Sequence, residues 1–195
     1  MTPEELAAFE EDIASEYNAG RIKAPVHLES GNEDQLIEVF KSVGPNDWIA
    51  CSWRSHLKAL LRGVPPDVLK AEIMAGRSIS ICLPQYRVIS SAMVGGILPI
   101  ALGIAFAIKR AGSQERVHCW MGDMTSLTGI AQECMMYAAQ WELPIRWLIE
   151  DNHKSVCTDT YAVWNISETP KLPNVTRYSY ESKWPHAGAG KRIQF

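Results

Sequence analysis

Apolar residues fall at helical spacing over the first eighteen positions: Leu6, Phe9, Ile13 and Tyr17 share one face among acidic neighbours. Thr2-Pro3-Glu4-Glu5 is a helix start, a capping hydroxyl followed by proline and acids, and Asn18-Ala19-Gly20 closes the segment. The same pattern predicts helices over 33–43, 56–62 and 66–75, the last opened by Pro66 and stopped by Gly76. The apolar run Trp48–Ser52 has strand length. Residues 77–91 show no period and predict a loop or short strands. From Ala92 to Ala111 the chain is apolar nearly all round, with small residues at Gly95, Gly96, Ala101, Gly103, Ala105 and Ala107. That predicts a buried helix packed closely on its neighbours. Val117–Met121 and Pro144–Ile149 read as strands, with a turn over Gly122–Ser126 and a helix over 127–140 between them. Beyond Asp159, Pro170, Pro173 and Pro185 predict little regular structure, ahead of a basic end at Lys191-Arg192.

Strand, glycine-bearing turn, helix, strand is a βαβ unit, and its parallel strands are buried. The predicted fold is therefore α/β, a parallel sheet flanked by helices on both faces. One such domain is expected over residues 1–160, with a C-terminal extension over 161–195 that packs on the domain or on a partner. Ligands of such sheets bind beyond the C-terminal ends of the strands. Gly122-Asp123 and Asp151-Asn152 both stand at those ends.

Composition narrows the function classes. At 195 residues, 47% hydrophobic and 21% charged, the chain is globular. A net charge of −3 without a basic run argues against nucleic acid as the main partner. No apolar stretch reaches the ~18 residues of a membrane span. The acidic, amphipathic N-terminal stretch is unlike a signal or transit peptide, so a cytoplasmic protein is expected. The five cysteines are odd in number and form no CxxC pair, which predicts reduced thiols rather than a disulfide framework or zinc site. Seven tryptophans are enough to supply both core and interface positions.

A diphosphate is held by backbone N–H groups at a helix start and by a hard cation bridging its oxygens to carboxylate and amide oxygens. Met121 to Ser126 offers a carboxylate and a helix start, and Asp151-Asn152 offers two more oxygen-bearing side chains. Taken singly, Asp123 would cap a helix and Asn152 would sit in a turn. Taken together at adjacent strand ends, they suit a shared divalent ion.

Gly122-Asp123-Met124 followed by Asp151-Asn152 resembles the metal and diphosphate motif of thiamine-diphosphate enzymes, which begins Gly-Asp-Gly and ends Asn-Asn. Asp123 and Asn152 lie 29 residues apart, the spacing of the 2-oxo acid dehydrogenase E1 α-subunits. The flanking text is similar too, in order over about residues 5–160. It includes Gly20-Arg21-Ile22, His27-Leu28, Gly31-Asn32-Glu33, Trp53-Arg54-Ser55-His56, Leu61-Arg62-Gly63-Val64, Val94-Gly95-Gly96 and Ala138 to Pro144.

The resemblance implies a thiamine-diphosphate-binding (pyrophosphate-type) fold with Mg²⁺ held by Asp123, Asn152 and the Lys154 carbonyl. Gly122, Met124 and Thr125 would line the diphosphate, and Arg54 would contact its phosphates. Trp53 takes the place of a cofactor-contacting tyrosine, while Ala92 and Val94 would support the aminopyrimidine. His27 matches a substrate-side histidine, and His56 a motif position with acid–base or orienting work. Met124 stands where the motif has glycine; torsions that require glycine there would cost about 1 kcal/mol. The family carries a further cofactor-facing histidine on a later loop, and His186 is the candidate to stand in for it.

The implied activity is decarboxylation of a 2-oxo acid with acyl or aldehyde transfer. The glutamate that activates the pyrimidine has no match among Glu29, Glu33 and Glu133, so a β-type pyrimidine-binding subunit is expected to supply it in an α₂β₂ assembly. Two other readings stand beside this one: the N-terminal subunit of a split transketolase-like enzyme acting on ketoses, and a non-catalytic scaffold.

Overall fold

The computed structural model describes residues 1–167 and 174–190. In chain order the elements are α1 (Pro3–Asn18), α2 (Glu33–Phe40), β1 (Trp48–Cys51), α3 (His56–Leu61), α4 (Pro66–Glu72), β2 (Cys82–Leu83) and β3 (Val88–Ser90). They continue with α5 (Ile97–Arg110), β4 (Val117–Gly122), α6 (Asp123–Ser126), α7 (Gly129–Gln140) and β5 (Ile145–Asp151). A hairpin of β6 (Lys154–Ser155) and β7 (Thr158–Asp159) follows, then α8 (Thr160–Trp164) and β8 (Val175–Ser179). The class is α/β, as expected. The expected features at Pro170, Pro173 and Lys191-Arg192 lie outside the described residues.

The chain forms two compact units. The first comprises Met1–Val43, Trp53–Ala92 and Glu181–Phe195; the second comprises Gly44–Ser52 and Met93–Tyr180. In the second unit β1, β4, β5 and β8 lie side by side in that order, all parallel. Trp48 faces Val117, Gly122 faces Glu150, and Asp151 faces Ser179. Because β4 is central and buried from Val117 to Met121, its sequence reads as continuous Val-His-Cys-Trp-Met rather than alternating. The crossover helices α5 and α7 pack on each other. Crossover connections keep the joined strands parallel and bring the C-terminal ends of β4 and β5 to the same edge.

The helix expected from Ala92 begins later, at Ile97. Gly95 adopts a φ of +73°, and a Cβ there would lie 2.9 Å from Ile130, so both torsion and space require glycine. The helix is also less enclosed than its composition predicts. Leu98, Ala101, Ala105 and Ile108 face inward, while Pro99, Ile100, Gly103 and Ala107 are exposed. The helix expected over 127–140 begins at Gly129 as α7, and the turn expected over Gly122–Ser126 is the short helix α6. Thr128 caps α7 by accepting the Ala131 N–H at 3.4 Å.

In the first unit, α1 carries the expected cap: the Thr2 hydroxyl accepts the Glu5 N–H and the Glu5 carboxylate accepts the Thr2 N–H. Leu6, Ile13 and Tyr17 are buried, and so is Glu10, a charged residue on the same inner face. β2 and β3 form a short antiparallel pair. Residues 181–190 return to this unit: Gly188 donates to the Val26 carbonyl at 2.8 Å and bridges His27 in parallel. Asn18 Nδ2 donates to the Ala189 carbonyl at 3.2 Å. Tail residues therefore contribute to both units, with β8 in the second. Sequence reading saw no strand there because Val175–Ser179 is short, half-buried and acquires its form by pairing with β5.

Candidate functional site

Asp123 opens α6 directly beyond β4, one step past the Gly122–Glu150 pair. Its side chain is 1% exposed, and Oδ2 is buried with no hydrogen-bond partner. Burial pushes its carboxyl up; the nearby Thr160 hydroxyl draws it back, and the charge of Asp151 raises it again. A buried carboxylate oxygen with no donor costs free energy unless something satisfies it. Gly122 has φ −72° and ψ 161°, which any residue adopts, and a Cβ placed on it would meet nothing within 4 Å. Neither torsion nor packing in this chain explains the glycine. Open space above a strand end, beside a helix start, is where a ligand approaches backbone closely.

Met124 lies inside α6 with no positive φ. The glycine-requiring torsion expected from the motif is absent here, so methionine sits without backbone strain. Thr125 continues the turn, its carbonyl accepting the Thr128 hydroxyl at 2.7 Å.

At the neighbouring strand end, Asp151 is consumed by structure. Its Oδ2 accepts Tyr161 Oη at 2.6 Å and Arg177 Nη1 at 2.8 Å, and its Oδ1 accepts the His153 N–H at 3.0 Å. Burial would raise this carboxyl, but Tyr161, Arg177 and the His153 N–H outweigh it and hold it below the usual range. Arg177 Nη2 also reaches Ser126 Oγ at 3.3 Å, tying β8 to the end of α6. Tyr161, Thr160 and Arg177 thus order this edge, and sequence reasoning missed all three. They stand up to 26 residues from Asp151, in a stretch with no period, so no local signal could have found them.

Asn152 Oδ1 accepts the Lys154 N–H at 3.2 Å in a short turn, which fixes the amide and leaves that oxygen a second lone pair. His153 and Val156 both have left-handed backbones, at φ 61° and 58°, and the β6–β7 hairpin holds Lys154 opposite Asp159. Among the described residues no cluster of three His, Cys, Asp or Glu side chains could hold a metal. The expected set of one carboxylate, one amide and one carbonyl is of a different kind, and the orphaned Asp123 Oδ2 fits it. Val94, in the same unit, is 59% exposed.

The first unit holds the remaining expected residues, and within it Arg54, His27, Trp53 and His186 come together. Arg54 Nε donates to the Leu28 carbonyl at 3.2 Å and Nη2 to the His186 carbonyl at 2.9 Å. His27 Nδ1 lies 2.6 Å from the same His186 oxygen. The His27, Trp53 and His186 rings meet at centroid distances of 4.8 to 6.3 Å. The Trp53 indole N–H is buried and has no acceptor. Burial pushes His27 down to about 4: the His186 carbonyl opposes this, and the charges of Arg54, His186 and His56 reinforce it. Burial and then Arg54 lower His186 as well. Lys58 and Glu29, both fully buried, pair beneath this cluster, and Lys58 Nζ donates to the Arg54 carbonyl at 3.2 Å. Ala92 is exposed.

His56 stands apart. It is fully buried, with Nδ1 3.2 Å from Glu10 Oε1 and Nε2 3.0 Å from Ser78 Oγ. Both nitrogens are taken, so this side chain joins α1, α3 and the Ser78 turn rather than facing solvent.

Residues 2–172 match the family model described as dehydrogenase E1 component. The α-subunit of pyruvate dehydrogenase E1 from Rickettsia bellii is 31% identical over 163 residues, which cover 78% of this chain and 50% of the relative. Its counterpart from Porphyra purpurea is 28% identical over 165 residues, covering 76% and 48% respectively. The α-subunit of an acetoin:2,6-dichlorophenolindophenol oxidoreductase from Cupriavidus necator is 29% identical over 154 residues, covering 74% and 46%. The chain spans about half the length of these curated relatives.

Proposed function

The chain belongs to the dehydrogenase E1 component family, of the thiamine-diphosphate-dependent E1 α type, and from that premise we propose that it is the diphosphate-binding subunit of a 2-oxo acid decarboxylating enzyme. The observation that carries the reading is the buried, unpartnered Asp123 Oδ2 at the C-terminal end of β4. A Mg²⁺ ion there would be held by Asp123, Asn152 and the Lys154 carbonyl, hard oxygen donors of the kind that ion prefers. The open space at Gly122 and the start of α6, with Met124 and Thr125, would line the diphosphate. Arg54, fixed by two carbonyls, offers its remaining N–H groups to phosphate oxygens. Trp53 offers a buried N–H, and Ala92 and Val94 support the pyrimidine.

When bound, thiamine diphosphate supplies the carbanion chemistry that cleaves the bond next to the ketone; protein groups bind, orient and exclude water. His27 is neutral at pH 7 and can hold or accept a substrate proton; His56 acts at a distance by setting α3, which follows Arg54. A β-type subunit supplies the activating glutamate in an α₂β₂ assembly. Pyruvate, named in the relatives, is the first substrate to test.

The test is calorimetric titration of thiamine diphosphate with Mg²⁺ into the chain, alone and mixed with a β-type subunit, followed by CO₂ release from a 2-oxo acid panel. Turnover should need both chains. A ligand at a hundred times its Kd should stabilise by roughly 2.7 kcal/mol. Turnover by this chain alone would overturn the partner assignment, ketose-phosphate cleavage would favour the transketolase-like reading, and no cofactor binding in either mixture would favour a scaffold.

A further inference from the structure

The segment Trp184–Gly190 lies beyond the family match, yet it seats on His27 and Arg54, the two residues proposed above to meet substrate and phosphate. One oxygen does most of this. The His186 carbonyl accepts from His27 at 2.6 Å and from Arg54 Nη2 at 2.9 Å, which fills both of its lone pairs. A carbonyl cannot donate, so the proton of that bond belongs to His27 Nδ1. In a neutral imidazole the other nitrogen, Nε2, then carries the lone pair.

We propose that Trp184–Gly190 is a positioning segment of the site, its His186 carbonyl holding His27 as the Nδ1–H tautomer and aiming Arg54 in the same act. His27 Nε2 is thereby an acceptor. It takes a substrate hydroxyl or other donor and repels a carboxylate, so recognition of anionic oxygens falls to Arg54. This assignment of substrate groups rests on the function proposed above; the tautomer does not.

Three further observations support the segment's place. Gly188 pairs with Val26 and His27 by a backbone bond and a parallel bridge. Its φ of +73° and the 3.1 Å approach of a Cβ to Tyr17 demand glycine, so the register of the segment is specified by sequence. The charged and titratable neighbours of His27, namely Arg54, His186 and His56, all disfavour a second proton on its ring, as burial does.

The experiment is ¹⁵N NMR of histidine-labelled full chain without cofactor, with His27 assigned by His27→Gln. At pH 7 His27 should be neutral with the proton on Nδ1, and should stay neutral to about pH 4. His186→Ala keeps the carbonyl and should keep the tautomer. Gly188→Val should release the segment, lose the Nδ1–H preference and raise the His27 pKa toward its ordinary value. A proton on Nε2 in the wild type, loss of the tautomer in His186→Ala, or a folded Gly188→Val with unchanged His27 signals would each overturn the proposal. If Gly188→Val does not fold, the first two measurements decide. Failure of thiamine diphosphate to bind would sink the cofactor reading and leave the tautomer result standing.

Discussion

Asp123 shows how a single residue can be placed against stability. Its carboxylate is buried, one oxygen has no donor, and burial raises its pKa. In the ionised form at neutral pH it therefore destabilises the ligand-free fold. Asp123→Asn should leave the melting temperature of the ligand-free chain equal or higher, while the rise produced by Mg²⁺ and thiamine diphosphate disappears; a large loss of stability without ligand would mean that Asp123 is structural. The position itself was legible in sequence, because an acid at a strand end before a helix start is a local pattern. Its desolvation was not, since Thr160 and Asp151 come from elsewhere in the chain. Met124 shows the reverse. The motif suggested a torsion problem, and the helical turn of α6 removes it.

Among the elements, β1 and β4 depend on one acidic turn. Asp47 accepts the Gly44 N–H and the Arg116 N–H, each at 2.8 Å, and His118 Nε2 at 2.9 Å. Burial would raise this carboxyl, but those N–H groups and His118 outweigh it and lower it. A lowered carboxyl stabilises the fold above its unfolded pKa, and the contribution is lost as pH falls through the lower folded value. Asp47→Ala should cost about 1.5–3 kcal/mol at pH 7 in urea denaturation. The gap between wild type and variant should close under acid, below the ordinary aspartate range. Elements with a strong period, such as α1, were readable from sequence to within a residue or two. β6 and β7 were not, because strands of two residues are too short to show a period, and β8 was not, because it takes its form from β5, far earlier in the sequence.

Over the whole molecule, the residues matched by family resemblance divide between two units, and each unit is stitched from separated pieces. The α/β class was legible because the βαβ stretch is local. The division was not, since it depends on where residues 181–190 return. Removing residues 181–195 deletes the bonds of Gly188 to Val26, Ala189 to Asn18 and His186 to Arg54. At about 0.5–1.5 kcal/mol each, these are a large share of a marginal fold's stability. Amide exchange should accelerate around Leu28 and Arg54 in the first unit, with β4 and β5 retaining protection; equal acceleration in both units would show that they unfold together.

The bond between Asn18 and Ala189 spans 171 positions, and it dictates an order of events during synthesis. The second unit has all its strands once residue 179 has left the ribosome. The first unit begins with residue 1 but must wait for residue 189 before its last contacts can close. Such long-range closure slows folding. The Val26 carbonyl waits for Gly188 through most of translation, so an early-emerging stretch is the last to be finished.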